Sequence, residues 1–316
     1  MTAARTELSL DVPHAPGAEP PPPPPPPPGV LLWVNGSRAD PASATHLSAL
    51  DRGFTLADGL FETMRAYHGS LFRLDQHLDR LDHGARVLGI PLPLDLRTLI
   101  GHAMRDARDA GVYDAAVRLT VSRGVSPPGL APPPNAQPTV VLAVHALPVR
   151  NAALDQHALH VCTARARRNE HALTAGVKTL DYVESVLAFA EARAAGADDA
   201  LFLDTAGHLS EATASNVFTV VGETLLTPPA GCGVLPGITR AAVLEIAAAL
   251  GIPAREQAIV PDQLRDAGEA FLTSSLREIA PIASIDHRSM PNRAPGTVTR
   301  RVADAFAALV QRECAP

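Results

Sequence analysis

The sequence predicts an α/β (α+β) fold built from two α/β domains, and three observations support this class. Segments with strand periodicity and segments with helix periodicity alternate along most of the chain. Hydrophobic residues make up 46% of the 316 residues, enough to bury one large core or two medium ones. The segment near residue 150 has the character of a connection. We therefore expect an N-terminal domain over 30–148, an interdomain connection over 149–157 and a C-terminal domain over 158–316.

Residues 1–29 are a Pro-rich segment that we place outside this fold. Its unbroken run from Pro20 to Pro28 has no amide donors. Such a run is restricted to extended polyproline II backbone. We expect a disordered N-terminal tail without a catalytic role, and the alternative is a docking ligand for a Pro-recognising partner.

Periodicity predicts the first elements of the N-terminal domain. A strand over 30–34 ends at the Asn-Gly turn of 35–36, and a second strand covers 62–67. A helix starts from Asp75 as its N-cap, and another helix covers about 95–110. The first of these helices has one apolar face, formed by Leu78, Leu81, Ala85 and Leu88.

The next strand shows a period of two. Val117, Leu119 and Val121 alternate with polar residues, as in a strand with one face in a core. Arg118 therefore points away from that core. A further strand over 139–146 follows a Pro-rich loop and completes this domain.

The C-terminal domain alternates strands and helices more regularly. Two of its helices are followed by glycine, the residue that favours a helix C-terminus. The predicted elements are a strand at 158–163, a helix at 181–195, strands at 199–203 and 216–221, a helix at 239–250, a strand at 269–273 and a final helix after about 297.

Composition excludes several classes of function. The net charge of -6 leaves no broad basic surface for nucleic acid or an anionic membrane. The cysteines Cys162, Cys232 and Cys314 are odd in number and lack ligand spacing, and the twelve histidines show no HExxH pattern, so we expect neither disulfides nor a metal site. No apolar run is long enough to span a membrane. These features favour a cytoplasmic protein that acts on a small molecule.

Lys178 is the first candidate for a catalytic residue. It follows a turn-like stretch at 174–176 and precedes a helix whose Asp181 and Glu184 resemble a capping box. The backbone would therefore hold this lysine in place. Taken alone, however, Lys178 fits a solvated surface lysine.

Two later segments change that interpretation. Glu211 is one carboxylate in a run of small residues over 212–215, so it can approach a flat heterocycle. Further on, residues 237–240 open a helix. The amides of Ile238 and Thr239, with the Thr239 hydroxyl, form an anion site at the positive end of this helix, and a phosphate fits there.

Six motifs in this order resemble the class IV aminotransferase family. They are Asp51-Arg52-Gly53-Phe54 with Asp58-Gly59-Leu60-Phe61-Glu62-Thr63, His77-Leu78-Asp79-Arg80-Leu81, the Lys178 segment, the Glu211 to Phe218 segment, Gly237-Ile238-Thr239-Arg240, and Phe271-Leu272-Thr273-Ser274-Ser275. The resemblance runs from about Val30 to the C-terminus. It implies pyridoxal 5'-phosphate (PLP) fold type IV, with the cofactor in the cleft between two domains, and a homodimer.

The resemblance also implies roles for individual residues. Lys178 would bind the cofactor covalently and move the substrate proton, while Glu211 would face the pyridine nitrogen and keep it protonated. Tyr182 would reach the phenolic oxygen of the cofactor, unless it only packs at the helix start. The phosphate would be bound by Arg80, Ile238, Thr239 and Ser275.

The substrate side is expected to be formed by arginines and one aromatic residue. A guanidinium is a two-pronged donor that matches a carboxylate. Arg65, Arg118 and Arg123 are therefore the expected carboxylate ligands, the alternative for each being a structural ion pair. Phe61 is the expected aromatic neighbour of the substrate.

Three activities within the family remain open. A branched-chain aminotransferase usually has a Gly-Gly-Asn-Tyr stretch after the lysine, which is absent here. A D-amino acid aminotransferase tends to have tyrosine in place of Phe61. The 4-amino-4-deoxychorismate lyases, which release pyruvate and 4-aminobenzoate for folate synthesis, share a Lys-x-Leu-Asn-x-x-Glu pattern, although Asp181 replaces its Asn and Glu62 stands where these lyases prefer Thr. We therefore expect the lyase activity, with an amino-acid aminotransferase as the alternative.

Two further hypotheses belong to other classes. A protein that only carries PLP, or serves as an interaction module, would be expected to lack Lys178 or Glu211, and both are present. An unrelated α/β binding domain would not bind PLP at all.

Overall fold

The computed structural model describes residues 30–40, 47–93, 95–148, 158–292 and 294–315. Two predictions therefore lie outside the described residues: the Pro-rich tail at 1–29 and the connection at 149–157. The remaining chain forms an α/β fold with two sheets, which confirms the predicted class.

The first sheet is antiparallel, and its strands follow the order β2-β1-β6-β5-β3-β4. The strands are β1 (Val30–Val34), β2 (Ser37–Ala39), β3 (Gly59–Tyr67), β4 (Ser70–Leu71), β5 (Ala115–Ser122) and β6 (Thr139–Ala146). The described helices of this region are α1 (Arg52–Leu56), α2 (Leu74–Leu88) and α3 (Leu96–Asp109). One face of the sheet packs on α2 and α3, and Val117, Leu119 and Val121 are fully buried there, as their alternation predicts.

The second sheet is mixed, in the order β12-β11-β10-β13-β14-β7-β8-β9, with β15 paired to β14. Its strands are β7 (Leu159–Arg168), β8 (Asp199–Asp204), β9 (Leu209–Ala212), β10 (Asn216–Val221), β11 (Thr224–Thr227), β12 (Ala254–Glu256), β13 (Glu269–Ser274), β14 (Glu278–Ile285) and β15 (Arg288–Ser289). The described helices here are α4 (Val183–Ala194), α5 (Ile238–Ala249), α6 (Pro261–Asp266) and α7 (Thr297–Glu313).

An apolar contact joins the two halves of the chain. Tyr67 and Phe72, from the first half, belong to the buried cluster formed by α5, α7 and the second sheet. The rings of Phe72 and Phe306 meet edge to face with centroids 5.5 Å apart. Beside them, the guanidinium of Arg73 forms ion pairs with Glu245 and Glu313. These contacts set the two sheets against each other and so define the cavity described below.

Two predicted helix starts differ from the structure. Asp75 is not an N-cap, because α2 begins one residue earlier at Leu74 and its capping position is Arg73, whose φ of 53° is left-handed. Asp75 instead pairs with Arg97 across the surface. The capping box predicted from Asp181 is also wrong, since Tyr182 is the capping residue of α4 and makes no side-chain cap bond.

The strands agree more closely, although their lengths differ. β1 and β6 have the predicted bounds, whereas β3 begins at Gly59 and β7 extends to Arg168. β14 was not predicted, since a proline at 281 interrupts its apolar run. The short strands β2, β4, β9, β11, β12 and β15 were not predicted either. Among the described helices, none has the length and apolar character required to cross a membrane.

Candidate active site

A cavity of about 470 Å³ lies where the two halves of the chain meet. Its walls contain Lys178, Glu211, Arg80 and the first turn of α5, which are far apart in the sequence. The predicted residues that line it are Phe61, Arg80, Arg118, Lys178, Tyr182, Glu211, Ile238, Thr239 and Ser275. Two predicted residues, Arg65 and Arg123, are not among its lining residues.

Lys178 belongs to a segment that pairs with the start of β3. The amide of Phe61 donates to the Lys178 carbonyl at 3.1 Å, and the amide of Leu180 donates to the Gly59 carbonyl at 3.0 Å. A side chain at Gly59 would collide with the Val121 carbonyl, because a Cβ there would lie 2.6 Å away. This backbone pairing fixes the direction in which the lysine enters the cavity.

The ammonium of Lys178 lies among aromatic groups. Its Nζ is 3.1 Å from the Tyr182 hydroxyl and 4.4 Å from the centroid of the Phe61 ring. The rings of Phe61 and Tyr182 are in edge-to-face contact, with centroids 5.0 Å apart. The lysine is thus held by one hydrogen bond and two aromatic faces.

Glu211 is a carboxylate with several donors around it. Its Oε2 accepts from the Leu235 amide at 3.0 Å and from Asn216 Nδ2 at 3.3 Å, and its Oε1 lies 3.5 Å from Arg168 Nε. Burial raises the pKa of Glu211, while Arg168 and the Leu235 amide act in the opposite direction. This carboxylate can therefore share a proton with a basic group placed before it.

The first turn of α5 forms an anion cradle. Gly237 caps the helix in an extended conformation, and Asn216 Oδ1 would lie 1.9 Å from a Cβ at this position. The open amides of the first turn, together with the Thr239 and Ser275 side chains, face the cavity. Nearby, the Thr273 hydroxyl is buried and has no hydrogen-bond partner within the described residues.

Arg80 reaches this cradle from the first half of the chain. Its Nη1 donates to the Pro236 carbonyl at 2.9 Å, while Nε and Nη2 donate to the two oxygens of Glu62 at 2.8 and 2.7 Å. The second donor to Glu62 is the ring of His77, at 2.7 Å. Although burial raises the pKa of Glu62, hydrogen bonds from Arg80 and His77 outweigh that effect and hold it at about 2.

Arg118 differs from the other two arginines expected on the substrate side. Its guanidinium lies 3.8 Å from the centroid of the Phe61 ring and forms no ion pair with any described carboxylate. Arg123 is fully engaged, because it binds both oxygens of Asp58 and two backbone carbonyls after α2. Arg65 is buried, with Glu278 and the Leu276 carbonyl as partners.

Several residues around the cavity were not assigned by sequence reasoning. Asn216 bridges Glu211 and the Leu235 carbonyl, and Arg168 is the cation beside Glu211. The predicted strand over 158–163 stops short of Arg168. The extension of β7 to Arg168 places this residue at the site, and no periodicity signal marks that extension.

The described residues fit the cofactor expected from the sequence. A pyridoxal phosphate requires an amine for its aldehyde, a carboxylate for its ring nitrogen and a donor-rich pocket for its phosphate. Lys178 Nζ, Glu211 and the α5 cradle supply these groups in one cavity. The unpartnered Thr273 hydroxyl further supports the fit, since a buried hydroxyl without a partner is costly unless a ligand satisfies it.

This combination of fold and site defines a PLP-dependent enzyme, and comparison with known proteins agrees. A family model for amino-transferase class IV matches residues 59–285. The chain therefore belongs to the class IV aminotransferase family, whose cofactor is PLP.

Curated relatives are similar over most of their length. A D-alanine aminotransferase of Bacillus licheniformis is 31% identical, with 81% of this chain and 89% of the relative covered. The branched-chain-amino-acid aminotransferase of Salmonella typhimurium (strain LT2) is 30% identical, with 89% and 93% covered.

Solved structures show the same family likeness. A branched-chain amino acid aminotransferase of Escherichia coli superposes with a TM-score of 0.82 at 27% identity, covering 88% of this chain and 94% of that one. A 4-amino-4-deoxychorismate lyase of Pseudomonas aeruginosa has a TM-score of 0.75 at 33% identity, with 88% and 98% covered. Branched-chain aminotransferases predominate in these comparisons, so they support the aminotransferase alternative better than the lyase expected from the sequence.

Proposed function

We propose that the protein is an amino-acid aminotransferase that acts on α-amino acids with an apolar side chain and uses a 2-oxo acid as the acceptor. The observation that carries this proposal is the meeting, in one cavity, of Lys178 and Glu211 with Arg118, whose guanidinium pairs with no carboxylate of the described residues. An α-amino acid with an apolar side chain has one carboxylate, and one free guanidinium matches it. The curated aminotransferase relatives add support.

Lys178 moves the proton in this proposal. PLP, when bound, supplies the electron sink that makes the α-proton of the substrate acidic. Lys178 Nζ takes that proton from the substrate α-carbon and later returns it during the same half-reaction. The Tyr182 hydroxyl orients Nζ at 3.1 Å, and the rings of Phe61 and Tyr182 exclude water from this side of the cavity.

Glu211 and Arg80 act on the cofactor side. Glu211 holds a proton at the ring nitrogen, and the amide of Leu235 keeps its carboxylate in place. Arg80 and the α5 amides bind the phosphate. Arg80 is already oriented by Glu62, so little side-chain entropy is lost on binding.

Arg118 binds the substrate carboxylate. Its guanidinium lies over the Phe61 ring, which leaves its polar edge free to donate two hydrogen bonds. Two of the apolar members of the wall, Phe61 and Leu180, are placed to receive an apolar side chain.

The lyase remains a second candidate because of one observation. Among the structures compared, the lyase of Pseudomonas aeruginosa has 33% identity, above the 27% of the Escherichia coli aminotransferase, although its TM-score is lower. Its substrate must carry two carboxylates, since pyruvate and 4-aminobenzoate each keep one. A second free guanidinium would suit such a substrate. Arg277 also lines the cavity, but its guanidinium pairs with Asp199.

The test compares both activities in one PLP-loaded preparation. We would incubate the protein with L-leucine, L-valine, D-alanine or 4-amino-4-deoxychorismate, adding 2-oxoglutarate for the amino acids, and measure the 2-oxo acid or 4-aminobenzoate formed. We expect 2-oxo acid from an apolar amino acid, and none with Lys178→Ala. Formation of 4-aminobenzoate as the dominant product would establish the lyase instead. Activity that survives Lys178→Ala would contradict the proposed mechanism.

We also propose a homodimer, supported by an apolar surface on α4. Val183, Val186 and Leu187 are 65%, 62% and 59% exposed. Helix α4 begins directly after Tyr182, so a partner covering this face would lie close to the site. Light scattering should give twice the 33.1 kDa chain mass. Val186→Asp should shift the protein toward a monomer, whereas Val87→Asp, on an exposed site of α2, should not.

A further inference from the structure

Three side chains beside the turn between β8 and β9 form a cluster that the proposed reaction does not use. Asp204 and His208 lie at the two ends of the turn between β8 and β9, and Cys232 lies in the short 3-10 helix before α5. The ligand atoms that they offer all lie within 4.8 Å of one another. The sequence did not predict a metal site, because Cys232 is far along the chain from Asp204 and His208.

The three donors are of the kinds that bind zinc. His208 Nδ1 is 3.2 Å from Asp204 Oδ2, and the Cys232 sulfur lies within 4.8 Å of the other two ligand atoms. Zinc in proteins takes carboxylate oxygen, imidazole nitrogen and thiolate sulfur. Two ligands about 2.1 Å from a tetrahedral zinc lie roughly 3.4 Å apart. The observed His208–Asp204 distance is close to that value. Binding by Cys232 requires its sulfur to approach the other two ligand atoms from within 4.8 Å.

Asp204 provides an independent reason to expect a cation. Its side chain is only 3% exposed, and no lysine or arginine in the described part of the chain forms an ion pair with it. A buried carboxylate is costly unless a cation or a metal compensates its charge. Asp204 Oδ1 accepts from the His208 amide at 2.7 Å, and the other groups that face this carboxylate are the His208 ring and Cys232, which can both become metal ligands.

The cluster also has a route to solvent. The side chain of His208 is 35% exposed, whereas Cys232 and Asp204 are buried. Two buried ligands and one at the surface leave a fourth position open to water. Three protein ligands with one water are a common arrangement of protein-bound zinc.

We propose that Asp204, His208 and Cys232 bind one Zn²⁺ ion, with water as the fourth ligand. The ion would join the turn before β9 to the loop before α5. Both segments reach the active site, because Glu211 lies in β9 and the Leu235 amide of that loop donates to it. A second contact, from the Ser210 hydroxyl to the Cys232 carbonyl at 2.6 Å, links the same two segments. Zinc should therefore stabilise the Glu211 end of the cofactor site.

Cobalt is the probe, since a cobalt ion bound to a thiolate has a charge-transfer absorption band. The full-length, PLP-loaded protein would be treated with a chelator, dialysed and titrated with Co²⁺ and then with Zn²⁺. Difference spectra against the untitrated holoenzyme would separate the cobalt band from cofactor absorption. We expect one equivalent of Co²⁺ with the thiolate band, its displacement by Zn²⁺, and a higher midpoint of thermal unfolding with zinc.

Matched variants locate the ion. Cys232→Ala should abolish the band. His208→Gln should weaken Zn²⁺ binding about 100-fold or more, because losing a ligand should cost more affinity than losing a group that is hydrogen-bonded to a ligand, which costs about 10- to 100-fold. Cys162→Ser and His171→Gln, a thiol and an exposed histidine outside the cluster, should leave binding unchanged. Because Cys232 is buried, circular dichroism must show that Cys232→Ala folds. If Cys232→Ala does not fold, the Zn²⁺ affinity of His208→Gln tests the proposal. An absent thiolate band, or Zn²⁺ affinity unchanged in His208→Gln, would overturn the proposal. Neither result depends on which substrate the enzyme uses.

Discussion

Arg80 and Arg118 line the same cavity, but their surroundings are opposite. Arg80 has both oxygens of Glu62 and the Pro236 carbonyl as acceptors. Arg118 has an aromatic ring beneath it and no carboxylate among the described residues. Both are cations near a site for an anionic ligand, yet only Arg80 is fixed by a carboxylate before a ligand binds.

This difference indicates what each arginine binds. A cofactor stays in the site through many turnovers, so a rigid, already compensated arginine suits its phosphate. A substrate must enter and leave, and an arginine without a competing carboxylate can bind its carboxylate without first breaking an ion pair. Partial burial lowers the pKa of Arg118, but a guanidinium remains charged at any working pH. Five predictions follow, and those on Glu62 and Arg118 test this contrast directly.

The largest effect on catalysis is expected from Glu211→Gln. An amide cannot keep a proton on the ring nitrogen, so kcat should fall by about 100-fold or more, within the range for loss of an acid-base group. Steady-state kinetics with the preferred amino acid and the visible spectrum of the bound cofactor measure this effect. Asn216→Ala, which removes only a neighbour of Glu211, should lower kcat much less. Equal losses in the two variants would show that Glu211 acts only by holding the loop.

Glu62→Gln tests the preorganisation of Arg80. Losing one partner of a buried ion pair costs about 3–5 kcal/mol, so the variant should be less stable and should bind PLP more weakly. Fluorescence titration with PLP measures the affinity, and urea unfolding measures the stability. If PLP binds to Glu62→Gln as it does to the parent, the paired state of Arg80 is irrelevant to the cofactor.

The same variant should change the dependence of stability on pH. The pKa of Glu62 is about 2 in the fold against an ordinary value of 4.5. A lowered carboxyl pKa contributes stability above pH 4.5, and this contribution is lost as the pH falls toward 2. Its size is on the order of 3 kcal/mol. Between pH 5 and 2 the parent should therefore lose more unfolding free energy than Glu62→Gln does, since the other carboxyl groups with lowered pKa values, such as Asp58, are present in both.

Arg118→Gln should act on substrate binding. Loss of a charge-assisted hydrogen bond costs about 1.5–3 kcal/mol, so KM should rise roughly 10- to 100-fold with kcat nearly unchanged. PLP affinity should stay the same. Arg123→Gln is the control. Because Arg123 is bound to Asp58, this variant should lower the midpoint of thermal unfolding and should not raise KM in the same way. An unchanged KM in Arg118→Gln would place the substrate carboxylate elsewhere.

Tyr182→Phe is expected to have the smallest effect. It removes the hydroxyl that lies 3.1 Å from Lys178 Nζ but keeps the ring that packs on Phe61. A neutral hydrogen bond contributes about 1 kcal/mol, so kcat should fall about fivefold. The pH profile of kcat should shift, since the hydroxyl orients the group that carries the proton. A loss as large as that of Lys178→Ala would make Tyr182 a proton carrier itself.

Individual elements show which structural features the sequence predicts correctly and which it does not. The alternation around Val117 predicted the buried face of β5 and the outward direction of Arg118, because a period of two is a local property of the strand. The start of α2 was placed incorrectly, since the left-handed backbone at Arg73 leaves no signal of its own. The carboxylate partners of Arg65 and Arg123 were equally hidden, because Glu278 and Asp58 are 213 and 65 positions away along the chain.

The sequence by itself determined the residue types of the site: a lysine after a turn, a carboxylate among small residues and a helix start that attracts an anion. These are local patterns, in which backbone conformation and side-chain chemistry are set by near neighbours. Only the tertiary structure decided that Arg80 is paired, that Arg118 has no carboxylate partner in the part of the chain that is described, and that Asp204, His208 and Cys232 meet. Charge compensation and metal binding depend on distances of a few ångströms between segments, and those distances are set by how the two sheets pack.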